Sequence, residues 1–148
     1  MNKSIEIHKI SSEMTLNLRR EILRNNTIES NLCYFKWDKH EKSFHLGAFK
    51  NKKIVGIISI LNTSTKTNNI RRLRGMAVKK KYQKNGIGSK LISRAEEILV
   101  SENIFLIWLK AREKAINFYL KKGYRKIGEP FEIINIGIHY YCEKKLKK

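Results

Sequence analysis

Apolar and polar positions alternate at the start of the chain. Ile5, Ile7 and Ile10 stand against Glu6 and Lys9, a period of two that predicts a short strand over 4–10. Ser11 and Ser12 follow, and serine hydroxyls cap helix N-termini. Met14, Leu18 and Ile22 then recur every four residues, so an amphipathic helix is predicted from Glu13 to about Arg24. Periodicity is lost over 25–42, a polar stretch with Tyr34, Phe35 and Trp37 interleaved. It reads as a loop with room for one helical turn, long enough to be functional. Strands are predicted over 44–49 and 54–61, with Asn51-Lys52 as a tight hairpin turn. A polar connector covers 63–69, and 70–78 is a further strand. Leu91, Ile92, Ala95 and Leu99 share one face of a helix predicted from Gly86 to about Val100. The apolar run over 104–109 predicts a strand covered on both faces, with Phe105 and Trp108 in the core. A short helix over 113–121 is stopped by Gly123. Strands over 124–127 and 139–145 end the pattern, and the lysine-rich tail from Lys144 is expected to be solvated.

The order is strand, helix, strands, helix, buried strand, helix, strands. Helices crossing over between strands in the second half require parallel neighbours. The prediction is a three-layer α/β fold with a mixed, mostly antiparallel sheet and a parallel central pair. No repeat or linker interrupts the chain, so 1–148 reads as a single domain.

Composition narrows the classes. At 148 residues, 41% hydrophobic and 30% charged, the chain can bury a core without staples. No apolar run approaches the ~20 residues of a membrane span, and the N-terminus has no apolar secretory stretch. A cytoplasmic protein with no membrane association is expected. Cys33 and Cys142 stand alone, outside any metal or disulfide pattern. His40 and His45 lack carboxylate or thiolate companions in a ligand pattern, so no metal site is expected. The net charge of +19 and pI near 10.1 suit nucleic acid or an anionic, phosphate-bearing ligand. Lysine from AT-rich codons, alongside abundant Ile and Asn, explains the same charge without function.

One stretch concentrates chemistry. Arg74-Gly75-Met76-Ala77-Val78 ends a strand, Lys79-Lys80-Lys81-Tyr82-Gln83-Lys84-Asn85 turns, and Gly86-Ile87-Gly88-Ser89 opens a helix. Glycines let backbone N–H groups approach a ligand. A helix N-terminus adds free donors and partial positive charge, which together suit a pyrophosphate. The Lys-Ser/Thr pair of a P-loop is absent, and Leu91 stands where a dinucleotide fingerprint has its third glycine. Two glycines alone describe a plain turn equally well.

Gln83-x-x-Gly86-x-Gly88 behind Met76-Ala77-Val78 resembles the acetyl-CoA signature of the GNAT superfamily of N-acetyltransferases. A second block, Ala111-Arg112, Ala115, Asn117-Phe118-Tyr119 and Gly123-Tyr124, resembles that superfamily's next segment, one helix and one strand later. The run 128–132 followed by Ile138-His139-Tyr140 is similar to the ending of some small bacterial members, with isoleucine where a proline is usual.

The resemblance implies that the strands over 70–78 and 104–109 splay apart around the pantetheine arm of acetyl-CoA. Met76, Ala77 and Val78 would pair with its amides, and an N–H near Val78 would polarise the thioester carbonyl. Gln83, Lys84, Asn85, Gly86, Ile87, Gly88 and Ser89 would hold the pyrophosphate, Asn117 would bond the arm and Phe118 would pack beside it. Tyr119 would be the general acid that protonates the departing thiolate; tyrosines in such a position otherwise simply pack. Members often take a base from an acid on the first splayed strand, but Ile70-Arg71-Arg72-Leu73-Arg74 holds none. Glu132 and His139 are the alternatives, with water relay as a third. Arg71, Arg72 and Arg74 could instead bind an anionic acceptor, with strand alternation turning at least one of the three away from it. Cys142 is read as a small buried hydrophobe, or as a thiol facing the cofactor. Tyr34, Phe35 and Trp37 either line the acceptor side or form a cluster beneath their loop.

The implied activity is direct transfer of an acetyl group to the amine of a small molecule in a ternary complex, by a monomer or homodimer. Two other readings remain open: a basic nucleic-acid- or ribosome-associated protein on the same fold, and an acetyltransferase of proteins or peptides, which an open groove would favour.

Overall fold

The computed structural model describes residues 4–63 and 69–147. The connector predicted over 63–69 lies, except for its two ends, outside the described residues. Seven strands form one sheet in the order β1-β2-β3-β4-β5-β7-β6. They are β1 (Glu6–Ile10), β2 (Phe44–Lys50), β3 (Lys53–Leu61), β4 (Ile70–Val78), β5 (Leu106–Arg112), β6 (Arg125–Ile133) and β7 (Gly137–Lys145). Neighbours are antiparallel except β4 and β5, the parallel central pair. The β2–β3 hairpin turns at Asn51 and Lys52, both with positive φ (52° and 66°). That is the twist-compatible geometry of a two-residue loop.

The first helical segment is mixed. A 3-10 turn (Glu13–Thr15) leads into α1 (Leu16–Leu18) and a π-helical turn (Arg19–Leu23). The apolar stripe shifts accordingly: Leu16 and Leu18 are buried, whereas Met14 is exposed. Ser12 contributes no hydroxyl cap to the turn that follows it, although Ser11 Oγ accepts from the Met14 N–H at 3.4 Å. The helices α2 (Ile87–Ser101) and α3 (Ile116–Lys121) cross over between strands. Leu91, Ile92, Ala95 and Leu99 of α2 are fully buried, each large side chain contributing ~1.5–3 kcal/mol. They join Leu46, Ile58, Ile60, Leu73, Ile107 and Leu109 in the main core. A smaller cluster of Leu18, Ile57 and Ala77 lies under α1 on the other side of the sheet.

Three expectations change. β5 alternates rather than being covered on both faces: Ile107, Leu109 and Ala111 are buried while Trp108 and Lys110 are half-buried. Phe105 is exposed, outside the core. β6 runs on to Ile133, further than its apolar signal at 124–127. The tail is docked, not solvated: Leu146 is buried, its N–H bonds to Phe105 O at 2.8 Å, and Lys144 Nζ meets Glu96 Oε1 at 2.8 Å. That burial and pairing outweigh the entropy of a free terminus.

Candidate active site

The sheet opens at its centre. β4 and β5 are in register only at Ile70–Leu106, Arg71–Ile107 and Arg72–Trp108. Beyond Arg72, β4 stays paired with β3 up to Val78, and β5 with β7 up to Arg112. The two strands therefore part, and 73–78 faces 109–112 with no strand between. A bulge on β4 opposite the Ile57–Ser59 step accompanies the opening. Gly75 sits in it with φ +68°, and a Cβ there would lie 2.6 Å from Phe35 Cε2. No side chain fits without displacing that ring.

The basic turn lies where the gap meets α2. Gln83, Lys84, Asn85 and Gly86 are exposed. Lys84 (φ 67°) and Gly86 (φ +80°) are left-handed, and a Cβ on Gly86 would meet nothing within 4 Å. Glycine is favoured there for conformation, not for space. The Gln83 side chain donates to Val78 O at 2.8 Å, which ties the turn to the end of β4. Ile87 is buried as the anchor of α2, and Gly88 and Ser89 are half-buried behind it. A Cβ on Gly88 would lie 3.3 Å from Phe118 Cζ and 3.6 Å from Met76 Cε. The helix N-terminus, the gap-lining β4 and α3 thus meet at one point.

On α3, Asn117 is exposed, Phe118 half-buried and Tyr119 buried. The Tyr119 ring makes edge contacts with Phe118 (centroids 5.2 Å) and Tyr124 (5.8 Å). Burial, with a lesser contribution from Cys142, pushes the Tyr119 phenol well above its ordinary value. It is protonated throughout the physiological range, the form an acid needs. Tyr124 is different in kind. Its hydroxyl donates to Glu96 Oε2 at 2.9 Å, and Lys144 holds the other oxygen. Cys142 is buried and its thiol is pushed up by desolvation.

The opposite face carries the other candidates. His139 is 5% exposed, and its Nδ1 lies 2.9 Å from Gly137 O. A carbonyl only accepts, so Nδ1 carries a proton, and in the neutral ring the lone pair is on Nε2. Phe131 lies against its ring. Glu132 is exposed and registers with Ile138, whereas His139 registers with Phe131 and Arg112. Alternation puts Glu132 on the other face, so the two candidate bases are not brought together. Arg72 and Arg74 share the His139 face. Arg71 turns away and is buried; desolvation pulls its guanidinium below the ordinary value, partly offset by the Glu102 carboxylate. Tyr34, Phe35 and Trp37 line a hollow of about 250 Å³ with Asp38 and Lys39.

The comparisons with known proteins come down on one side. A model of the acetyltransferase (GNAT) family matches residues 11–124. The chain belongs to the GNAT acetyltransferase family. It is accordingly an acyltransferase with acetyl-CoA as cosubstrate. It is 37% identical over 147 residues to YitI, an uncharacterised N-acetyltransferase of Bacillus subtilis strain 168, covering 97% of each chain. A GNAT acetyltransferase of Staphylococcus aureus Mu50 shares the fold with a TM-score of 0.76 at 23% identity, over 97% of this chain and all of the other. An aminoglycoside 6'-N-acetyltransferase solved with coenzyme A does so at 0.79 and 16% identity, over 97% and 98%.

This GNAT chain also contains a buried polar network that sequence patterns did not reveal. Arg19 donates to both Asp38 oxygens (2.6 and 2.9 Å), to Cys33 O and to Ser59 Oγ. Ser59 lies 2.7 Å from His45 Nδ1, and His45 Nε2 donates to Asp38 O at 2.9 Å. With the hydrogen of the neutral ring on Nε2, His45 Nδ1 accepts from the Ser59 hydroxyl, which in turn accepts from Arg19. The only sequence signal was an arginine inside an apolar helical stretch. Among the described residues, no helix is long and apolar enough to span a membrane and no group of His, Cys, Asp or Glu is arranged to hold a metal.

Proposed function

We propose that the protein transfers the acetyl group of acetyl-CoA directly to the amine of a small molecule, with both substrates bound together and Tyr119 as the general acid. The observation that carries this reading is the open β4–β5 seam, with the glycine turn at one end and the buried phenol of Tyr119 on the adjoining helix. Acetyl-CoA supplies an activated thioester; the rest is done by the chain. Backbone groups of Met76, Ala77 and Val78, left without a strand partner on β5, bond the arm, and an N–H near Val78 steadies charge on the thioester oxygen. The turn from Gln83 to Ser89 takes the pyrophosphate, aided by the α2 N-terminus. Asn117 and Phe118 hold the arm from the α3 side. Tyr119 gives its proton to the departing sulfur. His139 Nε2, with its lone pair free, is the better-placed base; Glu132 lies on the other face. The enzyme works in the cytoplasm as a monomer or homodimer.

Calorimetry and a thiol-release assay test this together. Tyr119→Phe is expected to lower kcat by ~10²-fold or more with acetyl-CoA affinity unchanged. Equal turnover removes Tyr119 from the chemistry. Gly86→Val instead weakens acetyl-CoA binding. The net charge of +19 supports a second reading, a nucleic-acid-associated protein. Salt-sensitive RNA binding stronger than acetyl-CoA binding would favour it.

A further inference from the structure

The face of the sheet beside the opening is cationic in an unusual way. Arg72 pairs with Trp108 where β4 and β5 separate, and its guanidinium lies 4.9 Å from the Trp108 ring. Arg74 is two residues further along, in the opening, with its guanidinium 4.0 Å from the Phe35 ring. Lys110 projects from β5 on the same face, 5.7 Å from the ring of Tyr141. Trp108 and Tyr141 lie side by side, centroids 6.4 Å apart. Three cations are therefore held against Phe35, Trp108 and Tyr141, all half-buried but Tyr141, which is exposed.

Their charge is not neutralised locally. Among the described residues none of the three forms an ion pair. Asp38, the carboxylate that favours the charge of Arg74, is bound bidentate to Arg19. Arg72 Nε is buried and finds no acceptor among the described residues. Desolvation, then Arg72 and Arg19, push the Arg74 guanidinium down to about 10. Burial, then Arg72 and Arg74, lower Lys110 as well. Half-buried like charges without a counter-charge are destabilised unless an anion joins them.

We propose that Arg72, Arg74 and Lys110 form an anion subsite for the acceptor, so that the substrate class is an amine that also carries a carboxylate or phosphate. This rests on the acetyltransferase reading above. The planar guanidinium donors suit a two-oxygen anion, and the aromatic rings flank its apolar part. The site repels polycationic amines, although one neighbour of the same fold is an aminoglycoside acetyltransferase. The same cations disfavour the ammonium form of a bound acceptor, which leaves more of it as the free nucleophile. That eases the demand on a base in a chain whose β4 has no acid.

The test has two stages. Acetyl-CoA binding is measured first; its absence sinks the acetyltransferase reading itself. With binding established, thiol release is followed for matched acceptors: amino acids against their amides, and phosphoethanolamine against ethanolamine. Spermidine is the polycationic control. The anionic member of a pair is expected to have at least a tenfold higher kcat/KM, and which pair responds separates carboxylate from phosphate. Arg72→Gln and Arg74→Gln should raise its KM tenfold or more with acetyl-CoA affinity unchanged. Independently of turnover, malonate and inorganic phosphate should produce a saturable change in Trp108 fluorescence, absent in Trp108→Phe and shifted to tenfold higher concentration in Arg74→Gln. Two results would overturn the proposal: neutral or cationic partners turned over as well as anionic ones, or, where no acceptor turns over, no saturable anion response at Trp108.

Discussion

Arg19 and Arg74 touch the same ring, and their surroundings differ. Both guanidinium groups lie against Phe35, at 3.7 and 4.0 Å from its centroid. Arg19 is 1% exposed and is matched by a bidentate carboxylate, a carbonyl and a hydroxyl. Arg74 has the ring and no carboxylate of its own. A charge matched by a carboxylate is a fastening, even though the Arg19 Nε itself finds no acceptor among the described residues; one left without a carboxylate beside an opening is a receptor. The fastening holds the 33–38 loop over β4, which puts Phe35 above Gly75 and beside the receptor.

The largest way to break the contrast is to unmatch Arg19. Asp38→Ala leaves a buried cation alone and is expected to destabilise by ~3–5 kcal/mol, read from urea unfolding; a change below ~1 kcal/mol would mean the pair contributes little. Gly75→Ala is next. It places a Cβ at a positive φ against Phe35 and should cost about 1–3 kcal/mol, with acceptor KM rising as the ring shifts. Arg74→Met should behave oppositely to Asp38→Ala. Removing an unmatched charge should leave stability within ~1 kcal/mol or raise it while acceptor turnover falls, the trade-off typical of functional sites. A loss as large as that of Asp38→Ala would make Arg74 structural. The smallest effect is pH-dependent. Desolvation holds the His45 imidazole below its ordinary value. The unfolded chain therefore takes up a proton near pH ~6.5 that the folded chain refuses. Stability is full above that pH and declines as pH falls below it. His45→Gln should flatten the dependence of Tm on pH between 7 and 5; an unchanged slope would rule His45 out.

Much of the fold was legible because each element carries its own periodicity. β4 was predicted over its full span, and the Asn51-Lys52 turn and α2 to within a residue or two. The motifs at 83–88 and 117–124 marked the candidate site because backbone conformation and helix position tie those residues to fixed spacings. Other features depended on distant partners. Phe105 and Trp108 looked like core because an apolar run does not say which face a neighbour covers. The lysine tail looked free because nothing in it announces Glu96 on α2. Glu132 and His139 looked like interchangeable candidates for a base, but strand register puts them on opposite faces.

The sequence by itself determined the strand and helix order, the parallel crossover, the glycine turn and the family. These follow from local periodicity and short fixed spacings. Only the tertiary structure decided where β4 and β5 part, that Arg19 and not Arg74 receives Asp38, and that Arg72, Arg74 and Lys110 gather on one face. Those outcomes depend on which side chains meet across the sheet. Charge matching falls off over a few ångströms of space, a distance unrelated to separation along the chain.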